Sequence, residues 1–174
     1  PEDFGGYYAW GETSTKTTYN RDTYIFCDYA GNITKYKERV GTHIKGDDKF
    51  ILDTWDDAAH VNWGGDWLMP SPYYFDELVQ YCTWTKGVLN GVFGYKVTSN
   101  KPGYTSNSIF LPAAGYRLDN SLHDADSCGY YWSRNLYSIS NYYNGNCCYF
   151  NLNEIFHSYP QARLIGMPVR PVCK

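Results

Sequence analysis

The sequence has no long run of apolar residues, and this absence narrows what the protein can be. A helix that crosses a bilayer needs about 20 consecutive, predominantly apolar residues, and no stretch of the chain comes near that length. No secretory signal segment is visible at its start. We therefore expect no membrane insertion of this segment.

An excess of basic residues is also missing. The chain contains 15 Lys and Arg residues and 18 Asp and Glu residues, which gives a formal net charge of −3. Proteins that bind phosphate backbones carry a clustered positive excess. Nucleic acid is therefore not expected as the main partner.

The usual motifs of catalytic and metal centres do not occur. The chain has no nucleophile elbow, no zinc-protease helix motif, no phosphate-binding loop and no CxxC pair. The best metal candidate is Asp119, His123, Asp124 and Asp126, but the spacing and closing Glu of a calcium-binding EF-hand are absent, and a solvated turn is the preferred interpretation. We predict a non-enzymatic protein without a cofactor or a metal.

Aromatic residues are what the chain has in abundance. They make up 19% of the sequence, with 19 Tyr and 6 Trp, and so many rings are not typical of a disordered chain. Exposed Tyr adds contact area at low entropic cost, as in paratopes. We expect most Trp in the core and the C-terminal Tyr and Asn at the surface.

The six cysteines lack zinc-site spacing and favour an oxidising compartment. Composition leaves their pairing open, with one or two disulfides expected and the remaining cysteines buried. Cys147 and Cys148 are adjacent, so a bond between them is not expected, and their role stays open.

Two segments show helix signals. Thr54 is a candidate N-cap with Asp57 closing a capping box, and Gly64 ends the pattern. In the second segment Ser71 is the N-cap and Pro72 the first helical residue, followed by the apolar positions Phe75, Leu78, Val79 and Cys82.

The rest of the chain has strand and turn patterns. YIFCDY (residues 24–29), SIFLP (108–112), YYWS (130–133) and the C-terminal segment predict strands, and Asn90-Gly91 predicts a tight hairpin turn. LDNSLHDADSCG (118–129) is predicted to be a loop. The sequence indicates one α+β domain over residues 1–174, with two helices packed on short, irregular antiparallel sheets with long loops.

A family resemblance is carried by ordered motifs along almost the whole chain: GGYYAWGET, DDAAHVNWGGDWLMPSPYYFDEL, LNGVFGYKVTS, SIFLPAAGYR, GYYWS and VRPVC. The chain resembles the Fibrobacter succinogenes major paralogous domain of Bacteroidetes surface and secreted proteins. That family is similar in turn to C-type-lectin-like folds, including the formylglycine-generating-enzyme branch and the variable proteins of diversity-generating retroelements. The resemblance implies chain ends joined in a short sheet, a loop region presenting a binding face, and a secreted or cell-surface location, with a lipoprotein anchor outside this segment as one option.

Some family features carry over and others do not. The resemblance implies a disulfide between Cys82 and Cys173. A strand that usually precedes PEDFGG has no counterpart, so incomplete pairing of the terminal strands is expected. The calcium-binding motifs of sugar-binding C-type lectins and the copper-binding cysteines of the formylglycine-generating branch have no match.

Residues 134–167 depart most from the family pattern while both flanks keep it. Retroelement diversification and ordinary loop drift both explain this, and the sequence leaves the two open. We expect this region to present a ligand-binding surface, whereas Tyr149 and Phe150 are expected in a strand. The residues predicted to contact a ligand are Arg134, Asn135, Tyr137, Ile139, Asn141, Tyr142, Tyr143, Asn146, Phe156, His157, Tyr159, Gln161, Leu164, Ile165 and Met167.

The expected function is binding of a macromolecule, a protein or a glycan, through this C-terminal surface. Leu164 and Ile165 are the sharpest indicators, because exposed apolar side chains there favour a binding patch. The alternatives are a carbohydrate-binding module of a surface glycan-utilisation system, a pilus or adhesin subunit, and an enzyme of the formylglycine-generating type. The last would use Cys147 and Cys148, which could hold a soft metal.

Overall fold

The computed structural model describes residues 1–39 and 46–173, which form an α+β protein with few helices and many short antiparallel strands. The helices are α1 (Ala58–Trp63) and α2 (Pro72–Tyr81). The strands are β1 (Tyr7–Tyr8), β2 (Trp67–Leu68), β3 (Cys82–Leu89), β4 (Val92–Ser99), β5 (Ser108–Pro112), β6 (Tyr116–Leu118), β7 (Ser121–His123), β8 (Gly129–Leu136), β9 (Asn144–Phe150), β10 (Ile155–Ala162), β11 (Met167–Pro168) and β12 (Val172–Cys173). The longer helix has 10 residues, so no helix of the described part could span a bilayer.

Helix α1 begins later than the sequence predicts. Thr54 opens a 3₁₀ turn (Thr54–Asp56), and the N-cap of α1 is Asp57, whose carboxylate accepts hydrogen bonds from the backbone N–H of Ala59 and His60. The predicted Thr54 cap is therefore wrong, because the residue expected to close the capping box is itself the cap. The helix ends at Gly64, with φ of 70°, as predicted.

Helix α2 follows its sequence signals closely. Ser71 stands at the N-cap position and Pro72 at the first helical position, as predicted, although the Ser71 side chain makes no capping hydrogen bond. Phe75 is buried, and Leu78 and Cys82 pack beside it. The apolar face of α2 thereby covers one side of the sheet formed by β8, β9 and β10.

The β3–β4 hairpin is the clearest success of the sequence prediction. Leu89 pairs with Val92 across Asn90 and Gly91, whose φ angles of 50° and 87° suit a type I′ turn. Strand β5 adds to β4 as an edge strand. Ile109 on this strand is exposed, and only the last two residues, Leu111 and Pro112, are buried.

Two local predictions are wrong. Residues 24–29 form turns rather than a strand, because a capping box at Asn20 starts a 3₁₀ turn (Arg21–Thr23) and the N–H of Cys27 donates to the carbonyl of Tyr24. Residues 118–129 are not a plain loop, since β6 and β7 pair there across a two-residue turn that Asp119 enters with φ of 49°.

The β10–β9–β8 sheet separates two hydrophobic cores. Trp132 and Cys147 pair across β8 and β9 and belong to the larger core, with Trp10. Tyr131 and Cys148 pair next to them and belong to the smaller core, under α2. This follows from the alternation of side chains along a strand.

The tryptophans are less buried than predicted. Trp10 and Trp132 are fully buried, whereas Trp55, Trp63 and Trp67 are exposed. The exposed three lie in and around the short helix α1, whose buried residues are the small Ala58 and Ala59 rather than its large rings.

The two ends of the described chain are held by short strand pairs. Strand β1 pairs with β11, and β12 pairs with β2. The predicted single C-terminal strand is therefore two strands with different partners, separated by the segment that contains Pro171. The Tyr7 hydroxyl, which donates to the carbonyl of Ala114 at 2.6 Å, ties β1 to the middle of the chain.

Candidate functional site

The predicted ligand-binding residues divide into three classes of exposure. The exposed ones are Tyr137, Asn141, Tyr143, Phe156 and His157. The half-buried ones are Arg134, Ile139, Tyr142, Tyr159, Gln161 and Leu164. The buried ones are Asn135, Asn146, Ile165 and Met167. The surface that this region offers is therefore smaller than the sequence predicts.

Four residues of the predicted surface are buried, which corrects the prediction, and the contacts of Asn146, Ile165 and Met167 explain their burial. The side chain of Asn146 links β9 to β10. Its Nδ2 donates to Ser158 Oγ at 2.9 Å, and its Oδ1 accepts from the backbone N–H of Tyr159 at 3.2 Å. Ile165 and Met167 belong to the larger core. Asn135 lies in strand β8 and is 9% exposed.

The apolar pair Leu164 and Ile165 therefore does not form the exposed patch that the sequence suggested. Ile165 is 5% exposed, and Leu164 is half-buried against the same core. Gln161 is half-buried and faces Gly145 across the β9–β10 ladder.

The β8–β9 loop (residues 137–143) is a compact turn that presents rings. Its backbone closes on itself, since the N–H of Tyr137 donates to Asn144 and the N–H of Asn141 donates to Ser138. The rings of Tyr142 and Tyr143 stack with their centroids 4.7 Å apart. Tyr137 and Tyr143 are 42% and 54% exposed, so both can contact a ligand.

Arg163 anchors this loop, and the sequence interpretation missed it. Its Nε donates to the hydroxyl of Tyr24 at 2.9 Å, and its Nη1 donates to the carbonyls of Lys35, Tyr36 and Tyr142 at 3.0 to 3.1 Å. One side chain thus ties the β8–β9 loop to two N-terminal segments. No motif marks it; an arginine between apolar residues in ARLIGM is the one available signal.

The environment of Arg163 is aromatic rather than acidic. Its guanidinium carbon lies 4.6 Å from the ring centroid of Trp10, 5.6 Å from that of Tyr24 and 5.9 Å from that of Phe26. No carboxylate of the described residues forms an ion pair with it. Ring faces and carbonyl dipoles therefore stabilise this buried cation. Burial raises the pKa of Tyr24, and the nearby Arg163 charge offsets part of that rise.

A second feature is the aromatic face, formed by Tyr130 of β8, Tyr149 of β9, and Phe156 and Tyr159 of β10. The Tyr149 ring centroid lies 4.9 Å from that of Tyr130, 6.0 Å from that of Phe156 and 4.8 Å from that of Tyr159. Phe156 is exposed, whereas Tyr149 and Tyr159 are half-buried. Tyr130 is buried and packs beside Tyr149.

Hydrogen bonds hold two rings of the aromatic face, those of Tyr149 and Tyr130. The Tyr149 hydroxyl accepts from Asn151 Nδ2 at 2.8 Å and lies 3.9 Å from Cys128 Sγ. The Tyr130 hydroxyl donates to Asp124 Oδ2 at 3.3 Å. Burial raises the pKa of both tyrosines, so neither is suited to proton transfer near neutral pH.

His157 does not belong to the aromatic face. Its Nδ1 lies 3.6 Å from Asp76 Oδ1, and Asp76 is a residue of α2 on the other side of the sheet. Adjacent residues of a strand point to opposite faces, which places Phe156 and His157 on different sides of the sheet. A shift of register between Phe156 and Tyr159 brings those two rings to one face although they are three residues apart. The structure therefore separates His157 from Phe156, which the sequence had grouped together.

The cysteines do not form the predicted arrangement. Cys82 is a free thiol packed with Phe75 and Leu78 under α2, so the disulfide with Cys173 is absent. The reason is placement, since Cys173 is exposed in β12, which pairs with β2 rather than β3.

Cys147 and Cys148 are free and fully buried, and they point to opposite faces of β9. Each fills a different core, which accounts for the adjacent pair without any chemistry. Burial raises the pKa of Cys148 to about 12 and that of Cys147 well above its usual value. The two sulfurs are therefore placed neither to chelate one metal ion nor to react as thiolates.

The acidic segment considered as a metal candidate is spread out by its hydrogen bonds. Asp119 accepts from Asn20 Nδ2 at 3.0 Å, while Asp124 accepts from Tyr130. Within residues 1–39 and 46–173, no three His, Cys, Asp or Glu side chains are grouped so that they could hold a metal ion.

Comparison of the chain with protein families, with curated proteins and with solved structures finds no match. The family resemblance therefore rests on the sequence motifs alone. The function has to be argued from the arrangement of the chain's own residues.

Proposed function

We propose that the protein is a non-enzymatic binding module that contacts a macromolecular ligand through the β8–β9 loop and the aromatic face. One observation carries the proposal: four of the five exposed residues in the predicted set are rings or amides on these two features, namely Tyr137, Asn141, Tyr143 and Phe156. Aromatic and amide side chains on a fixed backbone are typical of protein-binding surfaces.

The rigidity of the support favours binding over a purely structural loop. Arg163 holds the loop through the carbonyl of Tyr142, and the three-stranded sheet holds Tyr149, Phe156 and Tyr159. Rings whose positions are fixed before binding lose little entropy when a ligand arrives.

A protein ligand is the first choice because the rings do not share one plane. The planes of Tyr130 and Tyr149 meet at 38°, and those of Phe156 and Tyr159 meet at 46°. One observation favours a glycan as the second candidate, since the planes of Tyr149 and Phe156 lie within 19° of each other. A sugar ring could stack on such a pair.

The test is a binding screen on a glycan array and on a displayed library of extracellular protein domains. We expect a protein-domain ligand whose affinity falls about tenfold or more in Tyr143→Ala and Phe156→Ala, the size of loss typical of an aromatic anchor. Tyr104→Ala is the matched control, because Tyr104 is 51% exposed against 54% for Tyr143 and lies outside this surface. A ligand that binds both site variants as tightly as the control contradicts the proposal.

Retroelement diversification is a further proposal for this surface. Substitutions would be tolerated at exposed positions such as Tyr137, Asn141 and Tyr143, but not at Asn146, Ile165 or Met167, which are buried. A near-identical template repeat beside a reverse-transcriptase gene would support it. Variation that falls equally on buried and exposed positions would count against it.

The C-type-lectin-like scaffold and the secreted or cell-surface location are also proposals. Two features support the scaffold: β1 and β11 join segments from the two ends of the chain, and two helices are present in the described part. The location rests on the family resemblance. Disulfides give it no support at five of the cysteines, which are free: Cys27, Cys82, Cys128, Cys147 and Cys148.

A further inference from the structure

A polar cavity of about 650 Å³ lies beside β1, against the turn that joins β6 and β7. Apart from tyrosines, the polar residues of its lining are Thr15, Lys16, Thr17, Thr18, Arg117 and Asn120. No Asp or Glu of the described residues lines it. The residues that carry the proposed function, in the β8–β9 loop and the aromatic face, lie outside it.

Arg117 brings a positive charge to this cavity. Its side chain is half-buried, and its guanidinium carbon lies 5.2 Å from the ring centroid of Tyr7, which also lines the cavity. Burial raises the pKa of Tyr7 and of Tyr19, another lining residue, and the Arg117 charge offsets part of the rise in each. The guanidinium therefore lies among the lining side chains.

The protein leaves this charge unpaired in the part of the chain that the structure describes. The hydrogen bonds of Arg117 there are those of its backbone with Gly166, and no carboxylate of these residues forms an ion pair with it. Asp119 accepts from Asn20 Nδ2 at 3.0 Å and does not line the cavity. The planar guanidinium is therefore available to an anionic group of a ligand.

The second basic side chain of the cavity, Lys16, is already neutralised. Its Nζ lies 2.8 Å from each carboxylate oxygen of the buried Glu12 and donates to the carbonyl of Thr23 at 2.9 Å. The cavity therefore keeps one net positive charge, that of Arg117. A ligand with one negative charge matches it, whereas a second negative charge would have no partner.

Neutral polar groups surround this charge. Thr15, Thr17 and Asn120 are exposed. The Asn120 Oδ1 accepts from the hydroxyl of Thr18, which leaves the Nδ2 of Asn120 as a donor for a ligand. Hydroxyl and amide groups of this kind suit the hydroxyls of a ligand better than an apolar body, which would leave them without partners.

The walls of the cavity are fixed to each other. The backbone N–H of Tyr19 donates to the carbonyl of Asp119 at 2.9 Å, and the N–H of Asp119 donates back at 2.8 Å. The hydroxyl of Tyr19 also donates to the carbonyl of Tyr7. The N-terminal segment, β1 and the β6–β7 turn are therefore held together before a ligand arrives, which lowers the entropic cost of binding.

We infer that this cavity binds an acidic sugar, a hydroxylated ring that carries one negative charge. The charged group would accept hydrogen bonds from Arg117, and the ring hydroxyls would exchange hydrogen bonds with Thr17 and Asn120. The volume of the cavity lies in the usual range for a small-ligand site, roughly 300–1,000 Å³.

The test titrates the intact chain with methyl β-D-glucuronide, D-glucose 6-sulfate, methyl β-D-glucoside and acetate, followed by ¹H–¹⁵N NMR. The first two probes have a charge and a hydroxylated ring, the glucoside lacks the charge, and acetate lacks the ring. We expect a charged sugar to shift the signals of Thr17, Arg117 and Asn120 and to bind about tenfold more tightly than the glucoside and acetate. Equal binding of the glucoside or of acetate overturns the inference, as does the absence of shifts at the cavity.

The two charged sugars identify the anionic group. Tighter binding of the glucuronide assigns a carboxylate, and tighter binding of the glucose sulfate assigns a sulfate ester. Either result supports an acidic sugar.

Variants test the role of the cavity residues. Arg117→Gln is expected to abolish the preference for a charged sugar over the glucoside, and Arg21→Gln is the matched control at an exposed arginine outside the cavity. A preference that survives in Arg117→Gln overturns the inference. If that variant does not fold, Thr17→Val decides: it should weaken binding of the charged sugar several-fold relative to Thr34→Val, an exposed threonine outside the cavity, and equal affinities overturn the inference.

The outcome is separable from that of the proposed function. Tyr143 and Phe156 lie outside the cavity, so Tyr143→Ala and Phe156→Ala should leave binding of the charged sugar unchanged whether or not the proposed function holds. A loss of sugar binding in these variants would place the sugar on the β8–β9 loop or the aromatic face and overturn the assignment to this cavity.

Discussion

Arg163 is the residue on which distant segments of the chain converge. Tyr24, Lys35 and Tyr36 approach it from the N-terminal part, and Tyr142 approaches it from the β8–β9 loop. A guanidinium suits this position because its planar fork donates in several directions at once. The cost of burying its charge is offset by carbonyl dipoles and ring faces rather than by a carboxylate.

Arg163→Met should lower the free energy of unfolding by about 3 kcal/mol or more, since three carbonyls lose their buried donor. Urea denaturation followed by fluorescence measures the change. Arg21→Met is the matched control at an exposed arginine and should stay within about 0.5 kcal/mol of the parent. Equal losses in the two variants would show that Arg163 is not an anchor.

Asp57 likewise joins several segments of the chain. It caps α1, accepts from the backbone of Met69 beside β2, and faces Arg134 of β8. The sequence identified Asp57 as a capping residue but could not show that the same carboxylate joins three elements. Contacts between residues far apart in the chain depend on the fold.

Adjacent residues of strand β9 pack into different cores. Cys147 and Cys148 differ only in the face to which they point, and each belongs to a different core. Gly145 precedes them on the same strand and faces the indole rings of Trp10 and Trp132. The close packing of those rings leaves no room for a side chain at this position.

Gly145→Ala should destabilise the protein by about 1–3 kcal/mol, because the new Cβ would lie 2.7 Å from Trp10 and 2.9 Å from Trp132. Gly87→Ala in β3 is the matched control, since a Cβ there meets no heavy atom within 4 Å. Both free energies come from urea denaturation. The prediction is wrong if the two variants unfold at the same urea concentration.

At the scale of the whole molecule, buried tyrosines couple stability to alkaline pH. Burial raises the pKa of Tyr7 from 10.0 to about 12, and it raises the pKa of Tyr24 and Tyr131 as well. As pH rises above 10, the unfolded chain therefore loses these protons before the folded chain does. The contribution of neutral tyrosine to stability is complete below pH 10 and falls between pH 10 and 12.

A spectrophotometric titration at 295 nm, in buffer and in guanidinium, measures this coupling. In buffer we expect the exposed tyrosines to ionise at lower pH. The buried tyrosines should ionise only as near-ultraviolet circular dichroism is lost. In guanidinium all 19 tyrosines should titrate together. Identical curves in the two solvents would contradict the expected burial.

Local patterns were sufficient for elements whose signals lie close together in the chain. Ser71 and Pro72 located the start of α2, and Asn90 and Gly91 located the β3–β4 turn. The segment at residues 24–29 was misread because its strand-like composition competes with a capping box at Asn20. The closely spaced acidic residues near Asp119 suggested a metal site. Asp119 instead accepts a hydrogen bond from Asn20, which is distant in the sequence.

The sequence by itself determined the α+β class, both helices, the central hairpin and a C-terminal region rich in rings and amides. These depend on periodicity, caps and turn residues, which act over a few positions. Only the tertiary structure decided which rings are exposed, which core each of Cys147 and Cys148 fills, and that Arg163 is a buried anchor. The physical reason is that burial and pairing depend on how distant segments pack, and a single sequence does not display that packing.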